Sequence, residues 1–189
     1  VILYEYQKTR KKEHAREFLK GFSGICVTDG YQVYHSIADE REDLTIAGCW
    51  SHARRGFADV VKAAGKKDVG IRQSVAYKSL QLIQTMSRYE EKLAKREPAE
   101  RLEARIHYVL PLADAFFAYL KSKEGSVAPK SATGKAIRYC LNQERFLRVF
   151  LTDGYVPMTN NAAERSIRPF TVGRNNWFQI DTVSGAKAS

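Results

Sequence analysis

The chain has 189 residues, 44% of them hydrophobic, enough to bury the core of one domain or of one domain with an insertion. Its 31 basic against 21 acidic residues give +10 and an isoelectric point near 9.6, a balance suited to a protein that approaches polyanions. The longest apolar runs are a few residues, against the roughly 20 that cross a bilayer, and no secretory signal pattern opens the chain; the expectation is a cytoplasmic protein without a membrane partner.

Val1-Ile2-Leu3-Tyr4-Glu5-Tyr6 reads as a strand, and His14 to Lys20 as a short helix with Phe18 and Leu19 turned inward. Gly21 and Gly24 punctuate the entry to Gly-Ile-Cys-Val-Thr, residues 24–28, an apolar and β-branched run of the buried-strand kind. Asp29-Gly30 closes that strand with a turn signal. Asp29 therefore falls at the C-terminal lip of a strand, where open α/β sheets bind ligands; an Asx turn opened by Asp29 accounts for the same residues. Thr45 to Trp50 reads as the next strand, with Ser51 as the N-cap of a helix running to about Ala64 and stopped by Gly65. Strand, helix, strand, helix is an α/β pattern.

From Val69 to Leu120 the sequence turns helical and charged. Leu82, Met86, Tyr89 and Leu93 form one apolar stripe, and Leu102, Ile106, Val109 and Ala113 another. Pro98 is placed to open the second helix, and Pro111 to kink or split it. Gly125 to Gly134, with Ser126, Pro129 and Ser131, reads as a loop ahead of a helix from about Lys135 to Asn142. The expected organisation is a core over 1–68, a helical hairpin inserted over 69–145, and the rest of the core over 146–189.

Thr152-Asp153-Gly154 repeats the Asp-Gly context of Asp29, here as a turn ahead of Met158-Thr159-Asn160-Asn161-Ala162-Ala163-Glu164-Arg165-Ser166-Ile167-Arg168-Pro169. That segment reads as a short helix ended by Pro169. On a helix Asn160, Asn161, Glu164 and Arg168 stack along one side while Ala163 and Ile167 face elsewhere, and such a face can hold a metal against a phosphate. A surface ion pair between Glu164 and Arg168 has the same spacing.

Cys26, Cys49 and Cys140 sit in apolar contexts without regular pairing, as reduced core thiols do. Cys49 and His52 have a Cys-x-x-His spacing, but no second ligand pair follows and no zinc site is expected. His14, His35 and His107 carry no specific signal. Tyr31, Tyr34, Trp50 and Trp177 recur beside the acids and arginines, and each reads first as core packing, with stacking on an unpaired base as the alternative. Serine-nucleophile and phosphate-loop patterns are absent.

Four stretches, in this order, carry a resemblance: Val27-Thr28-Asp29-Gly30-Tyr31-Gln32-Val33-Tyr34; Gly48-Cys49-Trp50-Ser51-His52-Ala53-Arg54-Arg55; Leu151 to Pro157 running into Asn160-Asn161-Ala162-Ala163-Glu164-Arg165; and Val172-Gly173-Arg174-Asn175-Asn176-Trp177. Together they span nearly the whole chain, and the chain resembles the catalytic region of DDE transposases of the insertion sequence 66 type. The resemblance implies an α/β, ribonuclease-H-like mixed sheet with flanking helices, and metal-dependent cleavage and transfer of DNA strands. It makes Asp29 the second acid and Glu164 the third, and it sets the first on a strand upstream of Val1, so that the chain is expected to be a fragment lacking that acid.

Carboxylates are what this chemistry requires. Strand transfer needs an activated oxygen nucleophile and a stabilised leaving oxygen, and two metal ions about 3.5–4 Å apart serve both. Mg²⁺ or Mn²⁺ takes hard oxygen ligands, here Asp29 and Glu164. His52, Arg54, Arg55, Asn160, Asn161, Arg165, Arg168 and Arg174 are the residues expected to face DNA, both transposon ends and target. A homo-oligomer is expected of the full-length protein. Asp153 is a rival for the third acid, and Asp153 or Asp181 could stand in for the first. A non-catalytic DNA-binding or assembly module of the same fold, or a metal-dependent nuclease, remains an alternative.

Overall fold

In a computed structural model, Gly24–Thr28 (β1) and Leu44–Gly48 (β2) pair in parallel, with Gly24 opposite Leu44 and Thr28 opposite Gly48. The structure describes residues 5, 7–65 and 68–176, with side chains as far as residue 169. The chain forms two units: residues 23–159, and the segments up to Phe22 and from Asn160 onward. Parallel pairing requires a crossover, and Gln32–Ala38 (α2) supplies it. β2 is the more buried strand, with Ile46 and Ala47 closed off from solvent.

After β2 the larger unit is helical: Trp50–Ala64 (α3), Val75–Leu93 (α4), Pro98–Ala104 (α5), Leu110–Glu124 (α6), Ala132–Asn142 (α7) and Glu144–Leu147 (α8). Their boundaries follow local chemistry. Gly65 ends α3 at φ +77°, a conformation that glycine takes without cost. The Ser74 side chain accepts the Tyr77 N–H to start α4, and that of Ser131 accepts the Gly134 N–H to start α7. Pro98 occupies the first turn of α5, where its missing N–H costs nothing.

Trp50 is the hub of the core. Its ring lies 5.3 Å from that of Phe116, 5.9 Å from Phe117 and 6.1 Å from Phe150, and its Nε1–H donates to the Leu147 carbonyl at 2.8 Å. Ile83, Met86, Leu120 and Ile137 surround this aromatic group. Truncating a core aromatic of this kind costs about 3–5 kcal/mol.

Several elements depart from the sequence reading. β2 covers 44–48 rather than 45–50, and Cys49, not Ser51, precedes the helix that Trp50 begins; the Trp50 ring is needed in the core, so the turn comes earlier than the serine signal. The first helix is Lys12–Phe18 (α1), which leaves Phe18 half exposed and buries only Leu19 of the expected pair. The loop before α7 is shorter, because Ser131 caps and Gly134 is helical; a β-carbon on Gly134 would stand 2.2 Å from the Ala128 carbonyl oxygen. Pro169 does not end the last helix: Asn161–Asn176 (α9) runs through it, since the proline φ is helical and the helix loses one backbone hydrogen bond there. The expected strand at Val1–Tyr6, Glu5 apart, lies outside the described residues, as do Trp177 and Asp181.

The second apolar stripe is displaced by one residue. Ile106 is 53% exposed while Arg105 is 1% exposed, because Arg105–Val109 form a π turn between α5 and α6. One extra residue in that turn shifts everything upstream by one position, so Arg105 takes the inward place expected of Ile106. Val109 and Ala113 stay fully buried. Pro111, in the first turn of α6, lies just past the split. The stripe of α4 also turns slightly: Leu80, Ile83, Met86 and Leu93 are buried, with Leu82 and Tyr89 at its flank. Among the described residues the only sheet is the two-stranded β1–β2 pair, so the observed architecture is a helix-rich α/β fold.

Candidate functional site

Asp29, Gly30 and Tyr31 make the connection from β1 to α2. Because Thr28 is paired with Gly48, Asp29 and Cys49 leave the sheet at the same C-terminal end. α3 begins there at Trp50, so the positive end of its dipole belongs to the end that carries Asp29. The Trp50 N–H also donates to the Met158 carbonyl at 3.1 Å, which fixes the chain two residues ahead of Asn160 to this end of the sheet.

Asp29 is exposed, and its Oδ1 accepts the Tyr31 N–H at 3.1 Å, the Asx-turn geometry. Gly30 takes φ +86°, in the left-handed region. The Tyr139 hydroxyl of α7 donates to the Asp29 backbone carbonyl at 3.3 Å. A β-carbon on Gly30 would stand 2.9 Å from that hydroxyl and 3.4 Å from Gln143 Oε1. The turn is closed from beneath by the end of α7.

Burial pushes the Tyr139 phenol up to about 12, helped by Cys140, Cys49 and Asp29 and opposed by Arg55. Asp29 and Arg55 thus act on one phenol. His52 is half-buried in the first turn of α3, and Arg54 and Arg55 are exposed. Behind the turn, His35 of α2 is buried and stacked on Phe146, rings 3.8 Å apart, while the Arg145 guanidinium stands 4.3 Å from the same phenyl ring. Burial and then Arg145 hold the imidazole pKa below its usual value, against the pull of Asp39 and Asp29. His35 Nε2, Thr28 Oγ1 and Gln143 Oε1 are buried side-chain atoms with no hydrogen-bond partner among the described residues.

The Asn160 carbonyl accepts the Glu164 N–H at 3.1 Å, so Asn160 precedes α9 and Asn161 is its first residue. Glu164 sits in the first turn, where the helix dipole favours an acid, and Glu164, Arg165 and Arg168 are exposed. Arg174 belongs to α9, with its side chain outside those described. Asp29 and Glu164 therefore belong to different units. Asp153 makes an Asx turn, its Oδ1 accepting the Tyr155 N–H at 2.7 Å. Trp50, Cys49 and Cys140 are core, whereas Tyr31 is exposed and meets Tyr34 edge-on at 6.1 Å.

As donors, Asp29 and Glu164 fit a hard divalent cation: both are exposed carboxylates at element ends, and the carboxylate of Asp29 has one oxygen engaged by the Tyr31 amide. Among the described residues no three His, Cys, Asp or Glu side chains are grouped as a metal site. Tyr139, Gln143 and His35 were not singled out by sequence reasoning. The Asp-Gly pair announces a turn that something approaches closely, but it does not name the approaching helix.

The family described as "Transposase IS66 family" matches residues 1–188. The uncharacterized protein y4qI of Sinorhizobium fredii is 33% identical over 193 residues, covering 99% of this chain and 34% of that protein. The uncharacterized protein y4hP of the same organism is 31% identical over 194 residues, covering 98% of this chain and 35% of that protein. The chain thus spans about a third of the length of the curated relatives it matches. No solved structure matches it.

Proposed function

The chain belongs to the IS66 transposase family, and we propose that it contributes Asp29 and Glu164 to a metal-dependent centre that cleaves and joins DNA strands. The reading includes a ribonuclease-H-like mixed sheet around β1 and β2, interrupted by a helical insertion over 69–145. The observation that carries it is the fastening of Met158 to Trp50 at the sheet end that bears Asp29. Glu164 follows Met158 by six residues in the sequence.

Each residue has a task in this reading. Asp29 and Glu164 offer hard carboxylate oxygens. The Asx turn and the Tyr139 hydroxyl hold Asp29 from both its side chain and its backbone. Arg54, Arg55, Arg165 and Arg168, all exposed, meet DNA phosphates, and His52, Asn160 and Asn161 orient the backbone beside the acids. Two Mg²⁺ or Mn²⁺ ions, when bound, supply an activated oxygen nucleophile and a stabilised leaving oxygen. The partners are transposon-end and target DNA, with a homo-oligomer of the full-length protein as the working form.

The test is strand cleavage and joining by the full-length protein on DNA carrying the element's ends. Asp29→Asn and Glu164→Gln keep size and remove a charged ligand oxygen. Each is expected to lower the rate by on the order of 10³-fold, matching a loss of several kcal/mol of charge stabilisation, while circular dichroism reports an unchanged fold. Full activity in either folded variant removes that residue from the centre. If both remain active, the reading passes to a DNA-binding or assembly module.

A further inference from the structure

Three buried polar atoms around the Asp29 turn have no partner among the described residues: Thr28 Oγ1 one residue before it, His35 Nε2 in the helix after it, and Gln143 Oε1 over Gly30. Buried polar groups are costly unless bonded, and each one left without a partner calls for an explanation. The hydroxyl of the half-buried Tyr139 donates to the Asp29 carbonyl at 3.3 Å. Gly30 leaves the space that lets Tyr139 and Gln143 come so close. Tyr139 and Gln143 belong to the α7–α8 junction, where the Phe146 N–H donates to the Gln143 carbonyl at 3.0 Å and the Phe146 ring stacks on His35. One junction thus grips the Asp29 turn at its carbonyl and α2 at its buried face.

We propose that Tyr139, with Gln143 beside it, is a positioning residue for Asp29, so that the α7–α8 junction sets the placement of this acid. The proposal rests on the reading of Asp29 as a ligand carboxylate. The Asx turn ties Oδ1 to the Tyr31 amide, but the turn as a whole can still rock about the end of β1. Tyr139 stops that motion by holding the carbonyl of the same residue. A carboxylate so held meets a metal with less reordering, and loss of such outer support typically costs about 10–100-fold in metal affinity or activity.

The experiment compares Tyr139→Phe with wild type and with Ile137→Val, a core change in the same helix that leaves the hydroxyl in place. Three quantities are read in the full-length protein: amide hydrogen exchange at Gly30 and Tyr31, the Mg²⁺ concentration for half-maximal strand transfer, and the melting temperature. Tyr139→Phe is expected to speed exchange at Gly30 and Tyr31 and to raise the Mg²⁺ midpoint about 10-fold, with partial recovery in Mn²⁺; Ile137→Val, matched for stability loss, changes neither. Unchanged exchange and midpoint in a folded Tyr139→Phe protein overturn the proposal. So does an equal effect from Ile137→Val, which would mark a general loss of stability. Full activity in Asp29→Asn defeats the underlying reading and the proposal with it, whereas an inactive Asp29→Asn beside an unaffected Tyr139→Phe defeats the proposal alone.

Discussion

His35 shows how one buried side chain acquires a role in stability that its sequence context does not advertise. Its imidazole is buried beneath Phe146 and lies in the range of Arg145; burial first and then Arg145 favour the neutral ring, and the folded-state pKa falls below the ordinary 6.5. A depressed pKa contributes stability that is present above the unfolded value and is lost as pH falls through the folded one. The wild-type protein is therefore expected to lose denaturant resistance as pH drops below about 6.5, with the change smaller in His35→Phe. Urea midpoints measured across that range check it. Parallel pH curves for the two proteins would remove His35 from the acid response.

At the scale of elements, Arg105 is the clearest case of structure imposed by a turn rather than by a pattern. The π turn swings it inward, where Nε and Nη2 bond Glu90 at 2.9 and 2.6 Å and Nη1 bonds the carbonyls of Phe150 and Asp153 at 2.7 and 2.8 Å. Arg101, one turn earlier, donates to the carbonyls of Leu93 and Gly154. The two arginines fasten α5 to the end of α4 and to the 150–154 stretch. Removing one partner of a buried pair leaves the other uncompensated, so Arg105→Leu is expected to destabilise the protein by about 3–5 kcal/mol. Adding Glu90→Leu should recover part of that loss. Chemical denaturation of the single and double variants decides it, and a neutral Arg105→Leu would show that the carbonyls find other donors.

Over the whole molecule the +10 charge and the exposed Arg54, Arg55, Arg165 and Arg168 bear on nucleic-acid affinity. If these four neutralise phosphates, the logarithm of the duplex-DNA binding constant should fall with the logarithm of salt with a slope near −3.6, or about −0.9 per phosphate. Sequence preference should be slight, because phosphate contacts carry no base information. Fluorescence anisotropy over a salt series measures the slope. A flat response would assign the basic charge to ordinary surface. Among the described residues no helix is long and apolar enough to cross a membrane.

Local rules were readable where a few adjacent residues settle the outcome. Gly-Ile-Cys-Val-Thr is a strand with the expected bounds, Gly65 stops α3, Pro98 starts α5, and Asp29-Gly30 and Asp153-Gly154 are turns, because each depends on backbone conformation and nearest neighbours. The four ordered stretches that carry the family resemblance were equally legible, being linear by nature, and the family match runs across them. Packing settled the rest. Trp50 starts its helix early because its ring completes an aromatic core drawn from α6 and the 149–151 turn. Arg105 displaces Ile106 because one added residue in a turn changes which side chains face inward, and no periodicity count contains that residue. Tyr139 bonds Asp29 from 110 residues further along the chain. Contacts of that range arise only when helices have docked, so the partner of a turn stays hidden in a sequence that plainly announces the turn.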